Sequence, residues 1–134
     1  MVTHKVFVYG SLKKGFHNDR LLVNSRFVGS ATTLQRYSLW SLGAYPYAVQ
    51  EAKPSDGCEI HGELYEVSVD VLQRLDRLEG TQFGYYFRIS DTMKLDSGEE
   101  VLAFIYVMNP ELHAKRNPRT PKVSSGVWTN DCVL

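Results

Sequence analysis

The stretch that decides the fold is VFVYGSL, residues Val6-Phe7-Val8-Tyr9-Gly10-Ser11-Leu12. Its first four residues are apolar or aromatic without alternation, which predicts a strand that is buried on both faces. The glycine that follows can adopt a positive φ, so we expect a tight turn there. Such a turn can direct successive backbone N–H groups at an anion or a polarised carbonyl. Taken alone, however, the glycine is more typical of an ordinary strand-to-loop turn.

The composition predicts one ordinary globular domain over residues 1–134. Hydrophobic residues make up 43% of the chain and charged residues 22%, which is typical of a protein with its own core. Fifteen basic residues balance fifteen acidic ones, so no overall field would attract nucleic acid or an anionic membrane. No apolar run is long enough for a membrane span, and residues 1–5 leave no room for a secretory signal. We therefore expect a cytoplasmic protein, with its oligomeric state left open.

The pattern along the chain predicts an α+β fold dominated by strands. Strand-like sequence covers residues 27–50, 60–67, 85–95 and 101–108. The last two segments are separated by Asp96-Ser97-Gly98, which predicts a hairpin.

One helix is predicted over residues 69–78. Ser68 is a suitable N-cap, and Gly80 follows the helix as a suitable terminator. Three prolines within residues 109–121 predict an exposed, irregular arm. Trp128 is expected to pack the end of the chain onto the body of the protein, because so large an apolar surface is unfavourable in water.

Glu79 is the best candidate for a catalytic residue. At about 100° per residue, Glu79 and Leu72 are nearly superimposed on the predicted helix, and Leu75 lies within about 40° of them. The carboxylate thus projects from the face that buries leucines. Burial and the negative end of the helix dipole both favour the protonated carboxyl, so its pKa should rise toward values useful for proton transfer. The alternative is a frayed helix end, at which Glu79 turns to water or pairs with Arg88.

Tyr86 and Arg88 are further candidates for lining a pocket. In a strand they share one face, and Tyr85, Phe87 and Ile89 on the other face are predicted to point into the core. The Tyr86 hydroxyl or the Arg88 guanidinium could then contact a ligand. For Arg88, a structural ion pair is the alternative.

Other constellations do not predict a site. Cys58 and His61 lie three residues apart, which places their side chains on opposite faces of a strand, and no second pair completes a metal site. No nucleophile elbow or phosphate-binding P-loop is present. Ser11 has no predicted base beside it and is interpreted as a pocket-lining group. We therefore expect neither a metal nor a cofactor.

Several short motifs occur in an order that resembles a known superfamily. The chain carries YGSL at residues 9–12, GAYP at 43–46, GELY at 62–65, LDRLEG at 75–80 and YFR at 86–88. This ordered set resembles the γ-glutamylcyclotransferase-like superfamily, and in size the chain is most similar to γ-glutamylamine cyclotransferases. The sequence SGVW at residues 125–128 departs from the pattern, since Val127 stands where relatives have aspartate.

The resemblance implies a mixed, barrel-like β-sheet with one or two flanking helices. It also implies a small-molecule γ-glutamyl substrate, whose own α-amino group attacks its γ-carbonyl to give 5-oxoproline and a free amine. In this interpretation Glu79 is the general base and acid, while Tyr9, Gly10, Ser11, Leu12 and Tyr86 bind the substrate. The alternative is a non-catalytic protein that binds a small molecule in the same pocket.

Overall fold

The structure, a computed structural model, describes residues 3–10, 13, 19–34 and 36–128. The strands in this part of the chain are β1 (Thr3–Val8), β2 (Arg26–Thr33), β3 (Tyr37–Ser41), β4 (Pro46–Gln50), β5 (His61–Ser68), β6 (Tyr86–Leu95) and β7 (Glu100–Met108). The α-helices are α1 (Val69–Glu79) and α2 (Pro110–Ala114), and short 3₁₀ helices cover Asp19–Leu22, Pro54–Asp56 and Thr81–Phe83. No helix in these ranges is long and apolar enough to cross a membrane.

The strands form a closed barrel in the order β1-β5-β2-β6-β7, and β3 and β4 form a separate antiparallel pair. Neighbouring barrel strands are antiparallel except for β1 and β7, which run parallel with Val6 opposite Phe104. The carboxyl ends of β1 and β7 therefore meet at one end of the barrel. Because Tyr86 pairs with Met108, β6 begins at that same end. The predicted α+β class and mixed, barrel-like sheet are confirmed.

Helix α1 carries its last residue to this end of the barrel. β5 is antiparallel to β1, so Ser68 lies beside Thr3 at the opposite end. From there α1 runs back in the direction of β1. Its length of about 16 Å approaches the roughly 20 Å covered by β1. Glu79, at the C-terminus of α1, is thus delivered to the level at which β1 ends.

The ends of α1 are defined by the residues that the sequence indicates. The Ser68 hydroxyl accepts a hydrogen bond from the Val71 N–H at 3.2 Å. Gly80 has φ 66° and ψ 35°, a left-handed conformation that favours glycine, and its N–H donates to the Arg77 carbonyl at 3.2 Å. A Cβ at Gly80 would also lie 2.6 Å from the ring of Tyr85. The helix predicted over residues 69–78 is confirmed, and it extends one residue further, to Glu79.

The apolar run in β1 is buried on both faces. Val6 and Val8 pack into one hydrophobic cluster with Leu72 and Leu75 of α1. Phe7 points to the other side, into a second cluster that fills the barrel. This double burial explains the lack of alternation in the strand. Trp128 belongs to the second cluster and is 1% exposed, which confirms that it packs against the body of the protein.

Two expectations about local structure hold only in part. Within the arm predicted to be irregular, Pro110 begins α2, because proline is well suited to the first position of a helix. The Asn109 side chain caps α2 by accepting a hydrogen bond from the Glu111 N–H at 2.9 Å. Of the three residues predicted to point into the core, Tyr85 and Phe87 are 55% and 43% exposed, whereas Ile89 is partly buried against the second cluster.

At the start of β6, one face of the strand is covered by α1. Tyr86 lies in the cluster formed with Leu72 and Leu75, so the face that carries Tyr86 and Arg88 points toward the helix. The opposite face carries Phe87, Ile89 and Met93, and it is buried only from Ile89 onward because Phe87 lies at the end of the barrel. Periodicity assigns residues to a face but does not show where along the strand the core ends.

A carboxylate links α1 to the barrel near the end of the helix. Asp76 accepts a hydrogen bond from the Tyr106 hydroxyl of β7 at 2.6 Å. Its second oxygen accepts from the Arg88 guanidinium of β6, also at 2.6 Å, and forms an ion pair with it. The Arg88 guanidinium also lies over the Phe104 ring, 4.7 Å from its centroid. These contacts fix the last turn of α1 against two strands.

Replacement of the Tyr106 hydroxyl tests this link. In Tyr106→Phe, Asp76 loses one donor while the ring remains, so we expect the free energy of unfolding to fall by about 2 kcal/mol. Urea denaturation measures the change. Tyr85→Phe is the matched control, because its exposed hydroxyl has no hydrogen-bond partner among the described residues, and it should change stability by less than about 0.5 kcal/mol. Equal effects of the two substitutions would contradict a stabilising role for the Asp76 link.

Candidate active site

A cavity of about 500 Å³ opens at the end of the barrel where β1, β7 and α1 finish. Tyr9, Gly10, Glu79 and Tyr86, four of the residues predicted to form a site, line this one cavity. The other two, Ser11 and Leu12, lie outside the described residues. The structure therefore brings the glycine turn and the helix-end carboxylate to a common space.

Gly10 is required for a reason other than the one expected. Its φ is not positive, so the expectation of a left-handed turn residue is wrong. Instead, a Cβ at Gly10 would lie 2.7 Å from the Cγ and Cδ atoms of Pro46. The absence of a side chain lets the start of β4 approach the end of β1. The Gly10 carbonyl accepts a hydrogen bond from the Lys13 N–H at 3.0 Å.

Tyr9 forms a wall of the cavity and ties three strands together. Its hydroxyl donates to the Tyr106 carbonyl at 2.6 Å and accepts from the Ala48 N–H at 3.1 Å. Burial, and next the nearby Glu79 carboxylate, raise the pKa of Tyr9 well above its usual value. The hydroxyl therefore stays protonated, and its only proton is already donated to the backbone. Its ring, rather than its hydroxyl, is the part presented to the cavity.

Glu79 has the electrostatic environment that the helix pattern predicts. Burial of its carboxyl raises its pKa to about 7. The residue keeps part of its surface accessible, as a group lining an open cavity must. No side chain or backbone group of the described residues donates a hydrogen bond to this carboxylate, and the alternative of a pair with Arg88 is wrong because Arg88 binds Asp76. The unpartnered carboxyl is thus left free to exchange a proton with a ligand.

Tyr86 lies on the wall near Glu79. Its hydroxyl is 3.4 Å from the Pro46 carbonyl oxygen, near the upper limit for a hydrogen bond. Burial is the main cause of the raised pKa of Tyr86, and the neighbouring Tyr9 and Glu79 add to it. Tyr86 is consequently a neutral donor that is only weakly engaged by the protein.

Sequence reasoning missed Asp76 and Tyr106, which hold the end of α1. Asp76 stands three residues before Glu79, a spacing that places both carboxylates on neighbouring positions of one helix. The LDRLEG motif contains both carboxylates, and their proximity was a usable signal that one of them could form an ion pair. Tyr106 gave no such signal, because a tyrosine within an apolar strand is ordinary.

The described residues contain no group of three or more His, Cys, Asp or Glu side chains placed to hold a metal ion. Within the same ranges, Glu79 is the one charged residue in the lining of the cavity. The chemistry that this arrangement can perform is therefore proton transfer to and from a ligand in an apolar enclosure.

Curated relatives with similar sequences carry consistent names. A protein of Methanocaldococcus jannaschii, provisionally named a gamma-glutamylcyclotransferase, is 44% identical over 102 residues, covering 75% of this chain and 81% of its own. A protein of Vibrio cholerae with the same provisional name is 34% identical over 125 residues, covering 93% of this chain and 95% of its own.

The fold is also found among solved structures. The crystal structure of an AIG2-like protein from Mus musculus superposes with a TM-score of 0.73 at 23% sequence identity, over 97% of each chain. At this identity the match shows the fold alone. Residues 6–130 match the family model described as gamma-glutamyl cyclotransferase, AIG2-like. Nearly the whole sequence is included in that match, and the chain therefore belongs to the AIG2-like γ-glutamyl cyclotransferase family.

Proposed function

We propose that the protein converts a γ-glutamyl amine or γ-glutamyl amino acid into 5-oxoproline and a free amine, with Glu79 as general base and acid. The observation that carries the proposal is the Glu79 carboxyl, whose pKa is about 7, in the cavity that Gly10 also lines. Family membership supports the reaction class. The reaction needs no cofactor, because the nucleophile and the electrophile both belong to the substrate.

The first task of the site is to deprotonate the nucleophile. The α-amino group of a γ-glutamyl compound is largely protonated at neutral pH and attacks only after losing a proton. A carboxylate with a pKa near 7 is about half ionised at that pH and has enough proton affinity to accept this proton. The cavity walls hold the glutamyl chain curled, so that the amine and the γ-carbonyl meet.

Ring closure and departure of the amine then follow. The α-nitrogen forms a bond to the γ-carbonyl carbon, and the carbonyl oxygen becomes an oxyanion. We assign stabilisation of that oxyanion to backbone N–H groups of residues 10–12, of which Gly10 is the described member. As the carbonyl re-forms, the bond to the original amide nitrogen breaks, and Glu79 returns its proton to that nitrogen, which departs as a neutral amine. The α-nitrogen, which is cationic after its attack, loses its second proton to the free amine or to water, so the lactam nitrogen of 5-oxoproline is neutral.

Removal of the Glu79 carboxylate is the direct test of this function. Incubation with a panel of γ-glutamyl amines and dipeptides should yield 5-oxoproline, measured by chromatography. Glu79→Gln should lower kcat/KM by about 10²-fold or more, since the proton acceptor is lost. The control Glu100→Gln, on the exposed start of β7, should keep full activity.

Three other results would contradict the proposal. Full activity of a folded Glu79→Gln variant would show that Glu79 is not the base. No turnover of any panel member would refute the activity. Binding of a panel member without turnover would instead support the non-catalytic binding protein.

The pH dependence of the wild-type reaction is a second prediction. Only the ionised carboxylate accepts a proton, so kcat/KM should fall as the pH decreases through about 7. Initial rates between roughly pH 5 and 9 measure this limb of the profile. An activity that is constant down to about pH 5 would contradict a Glu79 base with a raised pKa, because an unshifted glutamate stays ionised there.

The burial of the Glu79 carboxyl should also lower the free energy of unfolding at neutral pH. The pKa of Glu79 is about 7 in the folded protein and 4.5 as the ordinary value, so the folded state binds more protons between these limits. The contribution of Glu79 to stability is therefore greatest below about pH 4.5, declines as the pH rises to about 7, and then stays level. Glu79→Gln removes this penalty, and its free energy of unfolding at pH 8 should exceed that of the wild type by up to about 3 kcal/mol.

Urea denaturation at pH 8 and at pH 4 measures this difference. The excess stability of Glu79→Gln should vanish at the lower pH, where the wild-type carboxyl is also neutral. An equal difference at both pH values would mean that it arises from packing instead of ionisation.

A further inference from the structure

The mouth of the cavity is surrounded by large apolar side chains that remain open to solvent. They are contributed by the β3–β4 connection, α1, the turn before β6 and α2, and each is between 41% and 55% exposed: Leu42, Tyr45, Leu78, Tyr85 and Leu112. We call these five residues the apolar rim. Exposed apolar side chains that converge from separate segments on one cavity mark a binding surface more often than single exposed residues do.

The rim lies directly beside the proposed base. Leu78 immediately precedes Glu79, and the Tyr85 ring packs against Gly80, which follows it. Since Glu79 must reach the departing nitrogen to protonate it, the group attached to that nitrogen begins next to Glu79. It then extends along Leu78 and Tyr85. The glutamyl group also meets Glu79 through its α-amino group, but it is placed between Gly10 and Glu79, so the exposed rim is left to the departing amine.

The size of the cavity leaves room for such a group. A volume of about 500 Å³ is within the range of sites that hold drug-sized ligands. A glutamyl group alone is much smaller than such a ligand. When the glutamyl group occupies the inner part, between Gly10 and Glu79, the outer part remains for the departing amine.

Helix α2 is held firmly enough to contribute to this surface. His113, the neighbour of Leu112, bonds the Tyr47 hydroxyl through Nδ1 at 2.8 Å and packs edge-on against Trp40, with 5.0 Å between ring centroids. The Arg116 guanidinium lies over the same indole at 4.4 Å. His113 and Arg116, which follows α2, are thus engaged with Trp40, and none of these three residues lines the cavity.

The charge of the lining limits the chemistry of the departing group. Over the residues that the structure describes, the cavity presents no cationic side chain to a carboxylate, and the nearby Glu79 would repel one. Glu79 would attract an ammonium group, but its carboxyl is engaged at the reacting nitrogen, and the five rim side chains supply no counterion for the hydration that such a group would lose. An alkyl or aryl group would instead bury apolar surface against them.

On the basis of the proposed function, we propose that the preferred substrate is a γ-glutamyl derivative of an apolar amine. The departing amine carries an alkyl or arylalkyl group and no charge other than at its reacting nitrogen. The rim is its binding surface. A second copy of this chain is a weaker candidate for this surface, because it would seal the mouth of the cavity that the substrate must enter.

Matched substrates provide the test. γ-Glutamylphenethylamine and γ-glutamylphenylalanine differ by one carboxylate, and γ-glutamylbutylamine and γ-glutamylputrescine differ by one ammonium group. We expect kcat/KM to be at least about tenfold higher for the uncharged member of each pair, with 5-oxoproline release as the measurement. Equal or inverted values in either pair would overturn the proposal while leaving the cyclotransferase activity intact.

A rim variant tests whether these side chains are responsible. Leu112→Arg places a cation on the rim and should improve γ-glutamylphenylalanine relative to γ-glutamylphenethylamine by roughly tenfold. The control Leu102→Arg adds the same charge at a 67% exposed position of β7 outside the cavity, and it should leave the ratio unchanged. The same shift in both variants would overturn the assignment to the rim.

Two further measurements separate this inference from the proposed function. If none of the four compounds is turned over, the proposed function fails, and calorimetric affinities for the same pairs decide the inference. Light scattering gives the mass of the wild type and of Leu112→Arg. A dimer that Leu112→Arg dissociates, with unchanged selectivity, would show that the rim is a subunit contact and overturn the proposal.

Discussion

The carboxylate of Asp76 is the contact on which the geometry of the site depends. It receives the Tyr106 hydroxyl with one oxygen and the Arg88 guanidinium with the other. Leu72 and Leu75 bury the face of α1, but apolar contacts tolerate sliding and rotation, whereas two short, directional hydrogen bonds do not. These bonds fix the last turn of the helix relative to β6 and β7, and they thereby fix the position of Glu79.

Asp76 and Glu79 carry the same functional group on one helix, but their environments give them opposite roles. Both are carboxyl groups, separated by three residues. Asp76 is supplied with two donors and its side chain is 27% exposed to water, so its charge is compensated where it lies. Glu79 is buried beside aromatic rings without such donors, so the neutral form is favoured. Glu79 can be held in a buried position without donors because the contacts of Asp76 fix the end of the helix.

The parts of the fold that sequence predicts well are those governed by local signals. The cap residues Ser68 and Gly80 define α1 without help from the rest of the chain, and the helical period assigns Glu79 to the leucine face. The turn at residues 96–98 defines the hairpin between β6 and β7 in the same way. For these elements, residues within one or two turns supply most of the information.

The features that sequence could not supply depend on contacts between distant segments. Gly10 is fixed by Pro46, which a turn rule cannot anticipate. The exposure of Tyr85 and Phe87 depends on where along β6 the core of the barrel ends. The closing of the cavity by Tyr9 requires Ala48 and Tyr106 to arrive beside it. Each of these features depends on the assembled barrel, and none of them produces a periodic pattern in the sequence.

The parallel pairing of β1 with β7 has a consequence for how the chain acquires its structure. Val6 and Phe104 are neighbours in the sheet although most of the chain separates them, so closure of the barrel carries a large loop entropy and is favoured late in folding. During synthesis β1 emerges before β7, so the edge of β1 that pairs with β7 stays unpaired until β7 has been made. Until then, its apolar run is an unprotected strand of the kind that promotes aggregation. The wall formed by Tyr9 is completed in the same step, so the nascent chain has no cavity before the barrel closes.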